Sequence, residues 1–245
     1  MKAGEIVEIM ERHFPLSLQE EWDVSGFQCG HYEQEVHKIM IALDCDLRTI
    51  REAIAKGCDM LITHHPFLFK RLDLNLSGYV GTCIEEAIKN DLVIYSSHTP
   101  LDKVAMNNWL CEELGLIEVG ECEETGIAKA GKLQEEMSLN DFLEHVKNVF
   151  HLDYVRIAGD KETIHTVAVC GGAGADFIHN IDVDAYLTGD IKYHAGEDST
   201  ICDMVLVDVG HHVEVIMVEK LKELLQEEID AEIITSTSPD YFRFA

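Results

Sequence analysis

Basic residues are scarce in this chain of 245: 19 lysines and arginines stand against 46 aspartates and glutamates, for a formal net charge of -27 at pH 7. Nucleic-acid affinity rests largely on Lys and Arg contacts to phosphates, so this balance argues against a nucleic-acid partner. An acidic body instead suits retention of cations, although most of the charge reads as a solvated surface. Long hydrophobic runs are missing too. No stretch approaches the roughly 18 apolar residues that span a bilayer, and Met1 to Ile6 lack the apolar core of a secretory signal. Also absent is any C-x-x-C pair. The eight cysteines are scattered from Cys29 to Cys202, several in or beside apolar runs where a thiol behaves as a small buried hydrophobe. The expectation is a cytoplasmic protein with reduced thiols and no membrane contact.

What is present is a hydrophobic share of 47%, enough for a substantial core in one large α/β unit or two smaller domains. Ile39 to Leu43 reads as a buried strand, Leu47, Ile50 and Ile54 share one helical face before Gly57, and Met60 to Ile62 completes a β-α-β unit. Thr82 and Glu85 stand at capping-box spacing for a second helix, which leads into a strand from Leu92 to Tyr95. In the second half Val167 to Cys170 opens another strand, and Asp184-Ala185-Tyr186-Leu187-Thr188 echoes Asp59-Met60-Leu61-Ile62-Thr63. The fold class is therefore read as α/β, with two similar interlinked domains of central sheet and flanking helices. The division, 1–124 and 125–245, is placed in the Glu- and Gly-rich stretch 118–137. Gly171-Gly172-Ala173-Gly174 follows a strand, but Phe177 stands where a dinucleotide loop needs its third glycine, so it reads as a tight turn. Trp22-Asp23 with Gly26 reads as a turn with an anchoring aromatic.

The chemistry sits where apolar runs stop. His64-His65 follows Met60 to Thr63, His211-His212 follows Met204 to Gly210, and Leu92 to Tyr95 leads into His98 with Asp102 four residues on. Strand ends are where α/β proteins place their sites. After Gly210, Val213, Met217, Leu221 and Leu224 mark one stripe of a helix reaching about Glu228, with His211 and Glu214 on one side of its first turn. Glu219 is the rival carboxylate, but it lies about 12 Å farther along such a helix. His64, His65, Asp102, His211 and Glu214 are enough for two divalent transition-metal ions sharing a carboxylate: zinc, iron, manganese, cobalt or nickel, rather than calcium. Two metals about 3.5–4 Å apart imply hydrolytic chemistry. The plainer readings are Asp102 as a helix cap before Lys103 and Glu214 as a complement to the helix dipole. His13, His31, His37, His145, His151, His165 and His179 read as hydrogen-bonded or surface residues.

In their order, Trp22-Asp23 with Gly26, Leu43-Asp44, Asp59 through Pro66, His98-x-Pro-Leu-Asp102, Thr188-Gly189-Asp190 with Tyr193-His194, and Gly210-His211 with Glu214 resemble the Nif-three-like family. Its members are also labelled GTP cyclohydrolase 1 type 2 homologues. The resemblance implies a dinuclear metal centre of those five ligands between two similar α/β domains, in a toroidal homohexamer whose sites face the interior. The label implies hydrolytic opening of a purine ring, hence a nucleotide or related small molecule as substrate. His98 and His194 are then the candidate catalytic proton shuttles, and Lys70, Lys192 or backbone amides would meet a triphosphate. Many members carry asparagine where this chain has Val24, and place the last glutamate where Val215 stands, which makes Glu214 the substitute ligand. The long middle insertion of some relatives is missing. The competing reading is a non-catalytic metal binder for storage, delivery or regulation, whose ions are saturated by protein where a catalytic centre keeps open positions. A third is an interaction scaffold in which the ring matters more than the ions.

Overall fold

The structure, a computed structural model, describes residues 1–68 and 78–242. Helix α1 (Ala3–His13) buries Ala3, Ile6, Val7 and Met10, one face at helical spacing. Strand β1 (Gly26–Cys29) precedes β2 (Lys38–Asp44), an almost continuously buried apolar run of the kind a sheet covered on both faces requires. Asp46 caps α2 (Leu47–Ala55) by accepting from the Thr49 amide at 2.6 Å. Strand β3 (Met60–His65), α3 (Tyr79–Lys89), β4 (Val93–Ser96) and the short α4 (Thr99–Leu101) follow. The expected start of α3 at Thr82 is corrected. The helix begins at Tyr79 after Gly78, and the Thr82 hydroxyl donates back to the Gly78 carbonyl at 3.0 Å, which places Thr82 inside the first turn.

From Asp102 the chain makes a π-helical turn (Asp102–Met106), then α5 (Asn107–Glu113), β5 (Ile117–Glu121), β6 (Lys129–Ser138), α6 (Leu139–Phe150), β7 (Arg156–Ala158) and β8 (Thr163–Val169). A 3-10 turn (Ala175–Asn180), β9 (Ala185–Thr188), α7 (Tyr193–Ile201), β10 (Val205–Asp208) and a second 3-10 turn (His211–Val215) lead to α8 (Ile216–Leu225) and β11 (Glu232–Thr235). Two compact units result: Met1–Leu101 with Met217–Ala245, and Asp102–Ile216. The Glu- and Gly-rich stretch 118–137 supplies most of β5 and β6, an antiparallel pair inside the second unit.

The first unit has a five-stranded sheet ordered β1-β4-β3-β2-β11, the second a six-stranded sheet ordered β5-β6-β8-β9-β10-β7. In the first, four parallel strands, β4, β3, β2 and β11, carry β1 as an antiparallel edge on β4; in the second, the parallel strands β8, β9 and β10 carry β7 antiparallel on β10 at one edge and the antiparallel strands β6 and β5 at the other. The short sequence echo has a hydrogen-bonded counterpart. Asp59 Oδ2 accepts from the His37 and Lys38 amides at 2.8 and 3.0 Å, and Asp184 Oδ2 accepts from the His165 and Thr166 amides at 3.0 and 2.8 Å. One step further, the Ser97 amide donates to the Thr63 carbonyl and the Val209 amide to the Thr188 carbonyl. Each unit has its own core, around Met40, Ile50, Leu61 and Ile94 in the first and around Ala168, Ile178, Tyr186 and Leu206 in the second.

Candidate metal centre

In the first unit, β3 ends on His64 and His65, whose rings lie 4.8 Å apart, and the loop after β4 brings His98 to 5.0 Å from His64 and 5.7 Å from His65. Each imidazole is held through Nδ1. His64 Nδ1 lies 3.0 Å from the Ser97 carbonyl oxygen, His65 Nδ1 lies 2.8 Å from Asp44 Oδ1, and His98 Nδ1 lies 3.0 Å from Asp23 Oδ1. An Nδ1–H spent on an oxygen leaves Nε2 as the basic nitrogen, the arrangement that orients histidines toward a metal. Ring nitrogens of the three histidines all fall within 4.8 Å of one another.

Asp23 is the residue that the reading of a plain turn understated. Trp22 is 60% exposed and meets His98 edge-on at 5.5 Å, whereas the Asp23 side chain is fully buried. It accepts from the Val24 and Thr99 amides, the Ser25 and Thr99 hydroxyls and the His98 ring. Burial alone pushes its carboxyl up, but the hydrogen bonds from His98, Thr99 and Ser25 outweigh that and hold it well below the usual carboxylate range.

The second unit supplies carboxylates. Asp102 opens the π-helical turn, a geometry concentrated at functional sites. The fully buried Asn107 braces it: its Nδ2 donates to the Ile127 carbonyl at 3.0 Å and faces the Asp102 carbonyl at 3.5 Å, while its Oδ1 accepts from the Gly171 amide at 2.7 Å. His211 Nδ1 lies 2.8 Å from Asp190 Oδ2, and its Nε2 lies 3.1 Å from Glu214 Oε2. The expected α-helical first turn is instead a 3-10 turn, in which residues three apart eclipse, so His211 and Glu214 meet directly. Glu214 is buried, whereas the rival Glu219 is exposed.

Asp102 and Glu214 have carboxylate oxygens within 4.8 Å of each other, and both side chains are buried. Two such charges are costly without a cation. Burial and these two carboxylates together push the neighbouring Cys170 thiol far up. Glycines make the room. A Cβ on Gly172, whose φ is +68°, would lie 2.4 Å from Glu214 Oε1, and one on Gly189 would lie 2.6 Å from the His211 amide nitrogen. In the second unit an oriented imidazole, two buried carboxylates and a glycine cradle fit a divalent transition metal, and so do the three oriented imidazoles of the first.

His194 lies elsewhere on α7, 85% exposed and 3.7 Å from Glu197, and among the described residues it joins none of these ligand groups. Lys192 immediately precedes α7, and Lys192, Arg156 and Tyr193 line a cleft of about 670 Å³ together with Ile157, Ala158 and Leu206. Lys70 lies outside the described residues. The orienting carboxylates Asp23, Asp44 and Asp190 were not singled out as such from the sequence, although all three stand inside the motifs that carry the resemblance.

Taken together, this is a two-sheet α/β protein with histidine and carboxylate groups able to hold a metal ion. The profile of the family Duf34/NIF3 (NGG1p interacting factor 3) matches residues 1–240, and the chain belongs to that family. A protein of Streptococcus pneumoniae named GTP cyclohydrolase 1 type 2 homolog is 35% identical over 242 residues, covering 93% of this chain and 91% of that protein. Reduced HcgD from Methanocaldococcus jannaschii has a solved structure that superposes with a TM-score of 0.87 at 31% identity, covering 96% of this chain and 97% of that one. A hypothetical protein of Staphylococcus aureus superposes at 0.92 with 27% identity, covering 100% and 99%. No helix among the described residues is long and apolar enough to cross a membrane.

Proposed function

We propose that the protein is a dinuclear metal-dependent hydrolase acting on a nucleotide or related small molecule. His64, His65, Asp102, His211 and Glu214 hold two divalent transition-metal ions. When bound, such a pair supplies Lewis acidity and a water acidified to near-neutral pKa. The observation that carries the reading is that Nδ1 of His64, His65 and His211 is each spent on an oxygen, which leaves Nε2 as the ligating nitrogen, with the carboxylates of Asp102 and Glu214 buried within 4.8 Å of each other.

His98 is the proton carrier. With Nδ1–H given to Asp23, its Nε2 can accept a proton, and the buried carboxylate stabilises the imidazolium that forms. His194 is the second candidate shuttle, from the exposed face of α7. The cleft beside it offers Lys192 to phosphate and Tyr193 to a planar base, while Arg156 in its wall is held by Asp208 and the Ile191 carbonyl. The names of the relatives support a hydrolytic nucleotide substrate by kinship. A cytoplasmic setting rests on the scattered thiols of the sequence, and a toroidal homohexamer on the family resemblance.

The test is elemental analysis of the purified protein, followed by a turnover screen against nucleotides and phosphoesters. Close to two transition-metal ions per chain are expected, most of them lost in His64→Ala/His65→Ala, together with turnover. Ions bound without turnover against any substrate would mark the non-catalytic binder instead, and absence of metal uptake would remove the proposal altogether.

A further inference from the structure

Away from the histidine and carboxylate groups above, the second unit lines up a thiol, an imidazole and a carboxylate. Cys202 Sγ lies 3.5 Å from Nδ1 of His179, and His179 Nε2 lies 3.6 Å from Oδ1 of Asp198. His179 belongs to the 3-10 turn Ala175–Asn180, Asp198 lies on α7, and Cys202 is the residue that ends α7. Packing of helix against turn therefore joins residues that sequence spacing does not relate, and His179 acquires a role beyond that of a surface histidine. The trio is also accessible: His179 is 57% and Asp198 37% exposed, and Cys202 is half-buried.

Of the other seven thiols, five are buried, and Cys29 and Cys122 are half-buried like Cys202. Burial pushes Cys29, Cys45, Cys83 and Cys170 up, Cys58 and Cys122 to about 11 and Cys111 to about 12. A thiol held protonated is a poor nucleophile, so those seven are disfavoured at neutral pH. At Cys202 the His179 imidazole is in hydrogen-bonding contact with the sulfur, placed to take its proton.

We propose that Cys202 is a site of oxidative modification by hydroperoxides, with His179 as its base and Asp198 as the positioning residue behind it. Asp198 faces the Nε2–H side of the ring, which keeps the lone pair on Nδ1, next to the thiol. Nδ1 takes the thiol proton, and the sulfur attacks one peroxide oxygen. The S–O bond forms as the O–O bond breaks. The departing hydroxide recovers the proton from the imidazolium and leaves as water. Sulfur gives up two electrons to the peroxide, and the product is the sulfenic acid of Cys202, the first and reversible step of thiol oxidation.

The test is brief treatment of the intact protein with hydrogen peroxide in the presence of a sulfenic-acid trap, with the rate at each cysteine read by mass spectrometry. Cys202 is expected to be trapped at least about tenfold faster than any other cysteine. His179→Gln should slow it at least about tenfold, a conservative share of the roughly 10²–10⁴-fold that a positioned base contributes, without moving the unfolding midpoint, since the residue is exposed. Asp198→Asn should slow it less, and Asp198→Glu should restore it. Trapping at Cys202 no faster than at the other thiols would overturn the proposal. So would an unchanged rate in both His179→Gln and Asp198→Asn, because Cys202 would then react through exposure alone.

Discussion

Replacing Gly172 by alanine tests the metal centre without touching a ligand. The added Cβ would lie 2.4 Å from Glu214 Oε1, 3.2 Å from its Cδ and 3.3 Å from His211 Nε2. Ordinary contact begins near 3.4 Å, so the Glu214 carboxylate must retreat by about 1 Å, whereas metal–ligand distances tolerate only about 0.2 Å. Misplacing one ligand should weaken metal binding by at least about 100-fold, or about 2.7 kcal/mol. The backbone adds a second cost. At φ +68° alanine sits in the left-handed region, at about 1–2 kcal/mol, which lowers the midpoint of metal-free unfolding by about 3–6 °C. Gly57→Ala separates the two effects, because Gly57 has φ +70° and nothing within 4 Å of its Cβ position. The assay is competitive metal titration of both variants alongside thermal unfolding after chelation. Both should lose similar stability, and only Gly172→Ala should lose metal. Native-like metal affinity in Gly172→Ala, or equal loss in Gly57→Ala, would refute the reasoning.

Asp23→Asn keeps the shape of the buried carboxylate but no longer dictates which His98 nitrogen carries the proton. Nitrogen NMR should show His98 leaving its Nδ1–H tautomer, and any turnover should fall by about 10–100-fold with metal content unchanged; an unaltered tautomer would contradict this. Asp184→Ala strips the shared acceptor from the His165 and Thr166 amides and should cost about 2–3 kcal/mol in denaturant unfolding. Burial raises the Asp184 carboxyl, but the Thr166 and His165 donors and Lys161 bring it down to about 2, against an ordinary 3.8. Its folded pKa therefore lies below its unfolded one, so the stabilisation is fully present above about pH 4 and is lost as pH falls through about 2. The gap is worth about 1–2 kcal/mol for a side chain roughly a quarter exposed. Wild type should lose that much more stability than Asp184→Ala between pH 5 and acid unfolding, and parallel acid titrations of the two would contradict the assignment.

The buried strands at Ile39 to Leu43, Met60 to Ile62 and Leu92 to Tyr95 were legible because an apolar run bounded by turn signals is a property of a few adjacent residues. That His64-His65 and His98 emerge where strands stop was legible for a related reason: each follows such a run, and parallel strands bring their ends to one edge of a sheet. The echo of Asp59 to Thr63 in Asp184 to Thr188 was visible as spacing, and its meaning, an aspartate bridging two amides of the preceding strand, was not.

What the order of residues determined by itself was the alternation of strands and helices, the ends at which imidazoles emerge, and the motif order that marks the family. Tertiary structure alone decided that β11 returns to lie beside β2 and that Asp23 holds His98 from 75 positions away. Such contacts owe their stability to burial and to hydrogen bonds between groups far apart along the chain. Their free energy depends on where the whole backbone has gone, which no local window of sequence contains.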